Sequence, residues 1–275
     1  MHLQPEAAAA GYRLLVVDVT ESTNDDALRA AEGGDPGLLW IVAGEQRSGR
    51  GRHGRPWSSP PGNLYASLLL IEPCDVSLAP QLGFVAGLAL HEAVEQVAGT
   101  GAPRLSLKWP NDLLVDGAKV AGLLLEGHRV GSGRAFATVI GFGVNVASAP
   151  KDTPYPACAL RGLRQDLTRE SLFAALSKSF AGAFSAWKAA QSVGPAGFFA
   201  AMRLLWQERA AGLGTEVSVK LPSGERRGTF DGLDPHGRLR LITGDGLELI
   251  DAGDLYFPNL KREMAGAPPA RQGCD

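Results

Sequence analysis

The chain has 275 residues, 45% hydrophobic and 20% charged, with a formal net charge of −2. Those numbers describe a globular protein with one large domain, or one large and one small. They exclude a general polyanion binder, so any attraction for phosphate must be local. The three cysteines, Cys74, Cys158 and Cys274, are scattered and show no zinc spacing or disulfide framework, which fits a reducing cytoplasm. No apolar run is long enough to span a bilayer, and residues 1–11 lack the pattern of a secretory signal.

In chain order, residues 1–10 read as a disordered N-terminus. Residues 13–19 (RLLVVDV) read as a buried strand. Thr23 and Asp26 have the spacing of a helix start, and Gly33-Gly34-Asp35-Pro36 stops that helix. Residues 38–43 form a second strand that runs directly into a loop. Gly44 to Trp57 (GEQRSGRGRHGRPW) holds four arginines and four glycines. Pro60-Pro61-Gly62-Asn63 is a turn, and residues 64–71 are a third strand. In residues 77–98, Leu82, Val85, Ala86, Ala89, Leu90, Ala93, Val94 and Val97 recur at helical spacing. Three strands follow near residues 105–108, 120–126 and 135–146, with a hairpin at 113–117. Residues 148–156 read as a mobile loop, and 168–190 and 198–211 as two more helices. After Gly212 come short β-like runs separated by Ser-Gly, Pro-His-Gly and Gly-Asp-Gly, the texture of a small all-β barrel of about 50 residues. Residues 261–275 read as a disordered tail. Only about ten residues precede the first strand, which leaves no room for an N-terminal helix-turn-helix.

Four constellations bear on chemistry. Glycines let main-chain N–H groups approach an anion, and arginines offer forked donors; alone, the 44–57 loop reads equally as a solvated basic segment or a nucleic-acid contact. Ser22-Thr23-Asn24 are ordinary helix-capping residues or a polar floor for a ureido or amide ligand. Lys108-Trp109-Pro110-Asn111-Asp112 reads as a turn, but Lys119 after it lies beside an apolar strand, where a cation suggests a phosphate opposite. In Gly141-Phe142-Gly143-Val144-Asn145, alternate glycines clear one strand face, either for a flat ligand or for tight packing.

Taken together and in this order, Glu21-Ser-Thr-Asn24, Gly44-Glu-Gln46, Gly49 to Trp57, Lys108 to Asp112, Lys119-Val-Ala-Gly122 and Gly141 to Asn145 resemble the motifs of the biotin–protein ligase family. Gly228…Gly232 to Gly237…Ala252-Gly-Asp254 resembles its small SH3-like domain, and the likeness spans residues 11–255. It implies an α+β fold: a mixed β-sheet with helices packed on one face, similar to the class II aminoacyl-tRNA synthetase core, over residues 11–212. An SH3-like β-barrel would follow over residues 213–260.

The resemblance also implies a two-step reaction with ATP and biotin as substrates and Mg2+ on the phosphates. The second step would modify a lysine on a biotin carboxyl carrier domain. Biotin binding would fall to Ser22, Thr23, Asn24, Gln46, Gly49, Arg50, Gly51, Arg52, Trp57 and Lys119. ATP and adenylate would be held by Arg50, Arg52, Arg55, Trp57, Asn111, Lys119, Gly141, Gly143 and Asn145. Lys119 and Arg52 are the catalytic cations it implies, and Asp112 the metal-side carboxylate. The loop, with little apolar content, is expected to be mobile until ligand orders it. Two departures from the family stand out: Arg47 where threonine is common, and Ala157-Cys-Ala-Leu160 where many members have Ala-Thr-Ser-Leu. Residues 147–160 are therefore the least transferable segment.

The rival readings are a lipoate or octanoate ligase or transferase of related fold, which would not need Ser22, Thr23 and Gln46 together, and a non-catalytic nucleic-acid-binding module. The acidic balance and the lack of interleaved aromatic residues oppose the second. No DNA or membrane partner is expected, and nothing selects between monomer and homodimer.

Overall fold

The computed structural model describes residues 1–99, 104–131, 135–190 and 199–257. The tail expected at 261–275 and the last residues of the expected C-terminal domain lie outside them. The large domain is built on a seven-stranded sheet in the order β1-β2-β3-β7-β6-β5-β4. Its strands are β1 (Arg13–Thr20), β2 (Leu39–Gln46), β3 (Leu64–Ile71), β4 (Leu105–Lys108), β5 (Asp112–Val115), β6 (Ala118–Arg129) and β7 (Phe136–Val144). β1 and β2 are parallel and every other neighbouring pair is antiparallel. A parallel pair needs a crossover, and helix α2 (Thr23–Glu32) supplies it.

The central strand β3 is buried along seven of its eight residues. Sheltered on both faces, it reads as an unbroken apolar run rather than an alternating one. One face carries α3 (Gln81–Ala98) and α4 (Arg169–Ala190). Trp40, Leu64, Leu68 and Phe142 meet Val85, Leu90, Phe173 and Phe180 there in the main core. Trp40 is fully buried, edge-on to Phe173 and Phe180 at 5.5 and 5.8 Å between ring centroids. The expectation of helices on one face holds for these two. The amphipathic α2 packs on the opposite face, where Ala27 and Ala31 cover Leu39, Ile41, Leu69 and Val139 in a second, smaller core.

Two expectations need correction. The first ten residues are not without structure: α1 (Pro5–Ala9) buries Ala7, and the Gln4 backbone N–H donates to Ser177 Oγ at 3.1 Å. β1 is not a buried strand but the sheet edge, with Leu15, Val16 and Val19 each 46–49% exposed. Its apolar composition matches an interior strand, and only its position at the end of the sheet order exposes it.

After α5 (Ala200–Glu208) the chain enters a five-stranded antiparallel sheet in the order β11-β10-β9-β8-β12. It comprises β8 (Glu216–Leu221), β9 (Gly224–Leu233), β10 (Leu239–Thr243), β11 (Gly246–Ile250) and β12 (Asp254–Tyr256). Val217, Val219, Phe230, Leu239, Leu241 and Leu255 are buried and continuous with the main core. Trp109 Nε1 donates to Gly237 O at 3.3 Å across the junction.

Candidate active site

A cleft of about 900 Å³, counting its open mouth, lies between the sheet, the 47–57 loop and the β12 end of the small domain. Ser22, Thr23, Asn24 and Gln46 line one end, and Arg52, Arg55, Lys108, Asp112 and Lys119 the other, with Tyr155, Asp254 and Tyr256.

The polar end is set by the β1–α2–β2 unit. Thr20 and Gln46 are register partners where the two parallel strands end, and only two residues separate β1 from α2. The N-cap is Ser22, whose Oγ accepts from Asp25 N at 3.4 Å. The helix thus starts one residue ahead of the Thr23/Asp26 register read from sequence. Gln46 Oε1 accepts from Thr23 N at 2.9 Å and Thr23 Oγ1 at 3.0 Å, and Gln46 Nε2 donates to Ser59 Oγ at 3.1 Å. Ser67 Oγ, fully buried on β3, lies 2.7 Å from Thr23 Oγ1 and 2.5 Å from Asn24 Oδ1. These side chains hold one another in fixed orientations.

The cationic end depends on an irregularity in β6. Leu113 faces Ala121 while Leu114 faces Lys119, so Val120 is an extra residue. In a regular strand, positions 119 and 122 would point to opposite faces. The bulge brings them together: a Cβ on Gly122 would lie 3.3 Å from Lys119 Nζ and 3.2 Å from Trp57 Cζ3. Lys119 N donates to Pro156 O and its carbonyl accepts from Cys158 N, at 2.8 and 3.0 Å. The ammonium sits 2.7 Å from Asp112 Oδ1 and 5.3 Å from the ring centroids of both Trp57 and Tyr155.

Lys108 stands across the β4–β5 hairpin from Asp112, 3.8 Å from its Oδ2, with Tyr256 at 5.5 Å. Burial pulls the Lys108 pKa down, against the pull of Asp112. Two ammonium groups thus share one carboxylate. Asp112, expected on the metal side, is the counter-ion of both lysines, and among the described residues no three His, Cys, Asp or Glu side chains cluster to hold a metal.

The arginine loop is anchored by charge rather than by apolar packing. Arg52 Nη1 donates to Gly253 O at 3.0 Å and to Asn111 Oδ1 at 3.4 Å, and lies 3.5 Å from Asp254 Oδ1. Arg55 Nη2 reaches the same Asp254 oxygen at 2.9 Å. Gly49 O accepts from Trp57 N at 2.8 Å, closing the loop base. Gly49 admits no side chain, because a Cβ would lie 2.5 Å from Ser59 Oγ. Arg47, the departure from the family pattern, is exposed and 3.9 Å from Glu21.

Four expected residues have surroundings other than those expected. The space over Gly141 is filled by the Asn24 amide, 2.4 Å from where a Cβ would be, and that over Gly143 by the Trp57 indole at 2.6 Å. Both glycines line the cleft, and the room they leave is taken in part by these two side chains. Asn145 is 3% exposed and absent from the cleft lining, its backbone tied to Val120 and Leu160. Arg50 lines the cleft at the Ser22 end, held by Asp25 and Glu126, away from the other cations.

Sequence reasoning missed Lys108, Tyr155, Asp254 and Tyr256 as lining residues. Lys108 carried a signal, since it opens the Lys-Trp-Pro-Asn-Asp motif. The 148–156 segment, expected to be mobile, is pinned at its start by Asn63 Oδ1, which accepts from the backbone of Val146, Ala147 and Ser148.

Comparison with known proteins accords with this geometry. The model of the biotin/lipoate A/B protein ligase family matches residues 16–145, and that of the biotin protein ligase C terminal domain matches residues 212–257. A biotin–[acetyl-CoA-carboxylase] ligase from Paracoccus denitrificans is 39% identical over 243 residues, covering 86% of this chain and 98% of its own. One from Mycobacterium tuberculosis is 32% identical, covering 90% of each chain. Among solved structures, a biotin protein ligase from Aquifex aeolicus in complex with biotin and ATP superposes with a TM-score of 0.73 at 29% identity, covering 89% of this chain and 97% of that one. With a relative of this identity aligned over nearly its whole length, the chain belongs to the biotin protein ligase family.

Proposed function

We propose that this protein activates biotin with ATP and transfers it to a protein lysine. The biotin carboxylate attacks the α-phosphorus, the bond to the β-phosphate oxygen breaks, and biotinyl-5′-AMP and pyrophosphate form. The ε-amine of a lysine on a biotin carboxyl carrier domain then attacks the acyl carbon, forming an amide, and AMP leaves. The observation that carries this reading is the convergence in one cleft of the Ser22–Thr23–Gln46 corner with Arg52, Lys108 and Lys119.

A carboxylate meeting a triphosphate is anion against anion, so the barrier is largely electrostatic. In this reading Lys119 and Arg52 flank the reacting oxygens, Lys108 adds a second ammonium, and Trp57 walls the biotin chain. Asn111, hydrogen-bonded to Arg52 and Leu123 O, holds Arg52 in place. Arg55 steadies the loop at the phosphate side. The cleft carboxylates Asp112 and Asp254 are both ion-paired, so Mg2+ would enter with the triphosphate and be held chiefly by its oxygens, helping to neutralise its charge. A polar corner built for hydrogen bonds disfavours lipoate, whose ring lacks a ureido group. We place the enzyme in the cytoplasm on its scattered cysteines; no described helix is long and apolar enough to cross a membrane.

ATP–pyrophosphate exchange tests the reading, with biotin or lipoate as the acid. Exchange that needs biotin supports it; exchange with lipoate alone moves the protein to the sister activity.

A further inference from the structure

Arg50 was expected to serve both biotin and phosphate. Its guanidinium is committed elsewhere. Asp25 takes it as a fork, with Nη1 to Oδ2 at 2.8 Å and Nη2 to Oδ1 at 2.7 Å. Nη2 is 3.2 Å from both Glu126 carboxylate oxygens. Nη1 also donates to Ser22 Oγ at 3.3 Å. Glu126 is fixed in turn, because Asn24 Nδ2 donates to its Oε2 at 2.6 Å. One guanidinium between two carboxylates has no spare charge for a phosphate. Asp25 and Glu126 do not line the cleft, but Ser22 and Arg50 do.

The consequence falls on Ser22. A hydroxyl has two acceptor lone pairs and one proton. Ser22 Oγ already accepts from Asp25 N and from Arg50 Nη1. Its capacity as an acceptor is filled, and its proton is left for whatever enters the cleft. A cation 3.3 Å away also strengthens that proton as a donor.

We propose that Asp25 and Glu126 are positioning residues for the biotin end of the site: they hold Arg50 against Ser22, so that the Ser22 hydroxyl meets the ligand only as a donor to the ureido carbonyl oxygen. The inference rests on reading the Ser22–Thr23–Gln46 corner as the ureido subsite. A ureido ring carries one acceptor oxygen flanked by two N–H donors, and a hydroxyl free to do either would accept it in more than one orientation. Filling the lone pairs selects one. It also selects against heads without an acceptor, since the buried proton would go unpaired.

The test is steady-state adenylation by the full chain, read as separate KM values for biotin and ATP. Asp25→Asn and Glu126→Gln are compared alone and in a Ser22→Ala background. Asp25→Asn is expected to raise the biotin KM about tenfold, the loss of one charge-assisted contact. The ATP KM should stay within about twofold. In the Ser22→Ala background the Asp25→Asn effect should largely vanish, because the pair acts through that hydroxyl. Competition with 2-iminobiotin, whose protonated ring offers no carbonyl acceptor, adds a second readout: the preference for biotin over it should shrink in Asp25→Asn.

An unchanged biotin KM overturns the proposal. So does an equal rise in the ATP KM, which returns Arg50 to the phosphates, or a full effect in the Ser22→Ala background, which leaves the cluster a loop anchor only. Ser22→Ala that itself leaves the biotin KM unchanged overturns the ureido-subsite reading beneath it. Should Asp25→Asn fail to fold, Glu126→Gln, which keeps an acceptor for Asn24, reads the same coupling.

Discussion

Trp57 and Gly143 occupy adjoining space so closely that a Cβ at position 143 would lie 2.6 Å from the indole Nε1 and Cε2. The missing side chain on β7 is what seats the indole against the cleft wall. Gly143→Ala is therefore expected to expel Trp57, whose rigid ring cannot yield by a rotamer adjustment alone. Overpacking of this kind costs about 1–3 kcal/mol. The check is thermal unfolding together with tryptophan fluorescence: a fall in midpoint with a red-shifted emission. A variant that melts and fluoresces like the parent would show that the indole does not rest on Gly143.

Lys119→Ala removes the ammonium that lies 2.7 Å from Asp112 and leaves that carboxylate with Lys108 alone. A preorganised charge acting on a transition state is worth about 10²–10³ in rate. Biotin-dependent pyrophosphate exchange should fall by that order while biotin affinity, measured by calorimetry, changes little. Undiminished exchange would remove Lys119 from the chemistry.

Arg52→Gly deletes the side chain that joins the loop to Asn111, Gly253 O and Asp254. The expected outcome is faster escape of the adenylate, seen as biotin on lysines of a bystander protein. A variant as selective as the parent would count against the loop as the retaining element.

Asp254 gives a pH prediction. Burial alone would raise its pKa, but the Arg55 hydrogen bond and the charges of Arg55 and Arg52 outweigh burial and lower it from 3.8. A carboxyl depressed in the folded state contributes stability that is present above its unfolded pKa and lost as pH falls through the folded value. The link between the small domain and the arginine loop should thus be intact from pH 5 to 8 and fail only in acid, roughly below pH 4. The Asp254 carboxyl carbon signal in NMR should titrate with a midpoint under 3.8. A midpoint above that value would mean the arginines are not its partners in solution.

Much of this architecture was legible along the chain. The β3 run, the α3 periodicity and the Gly-rich punctuation after Gly212 come from local patterns, because burial on two faces, helical burial and tight turns each impose a period or a residue type. The motif residues Ser22, Thr23, Gln46, Arg52 and Lys119 do meet in one cleft. The exposure of β1 was not legible, since whether an apolar strand is central or at the edge depends on the order in which strands pair. Nor was the short α1, whose Ala7 is buried only because α4 lies beside it.

Residue type and order determined by themselves that a polar corner, a glycine-arginine loop and two lysine motifs exist, and that the last strands form a separate small sheet. The tertiary structure decided what each group faces. Arg52 and Arg55 find Asp254 across about 200 positions of chain, Arg50 is taken by Asp25 and Glu126, and Gly141 and Gly143 leave room for Asn24 and Trp57. A charge or a missing Cβ is written in the sequence, but its partner is set by which surfaces dock, and that depends on the packing of the whole sheet.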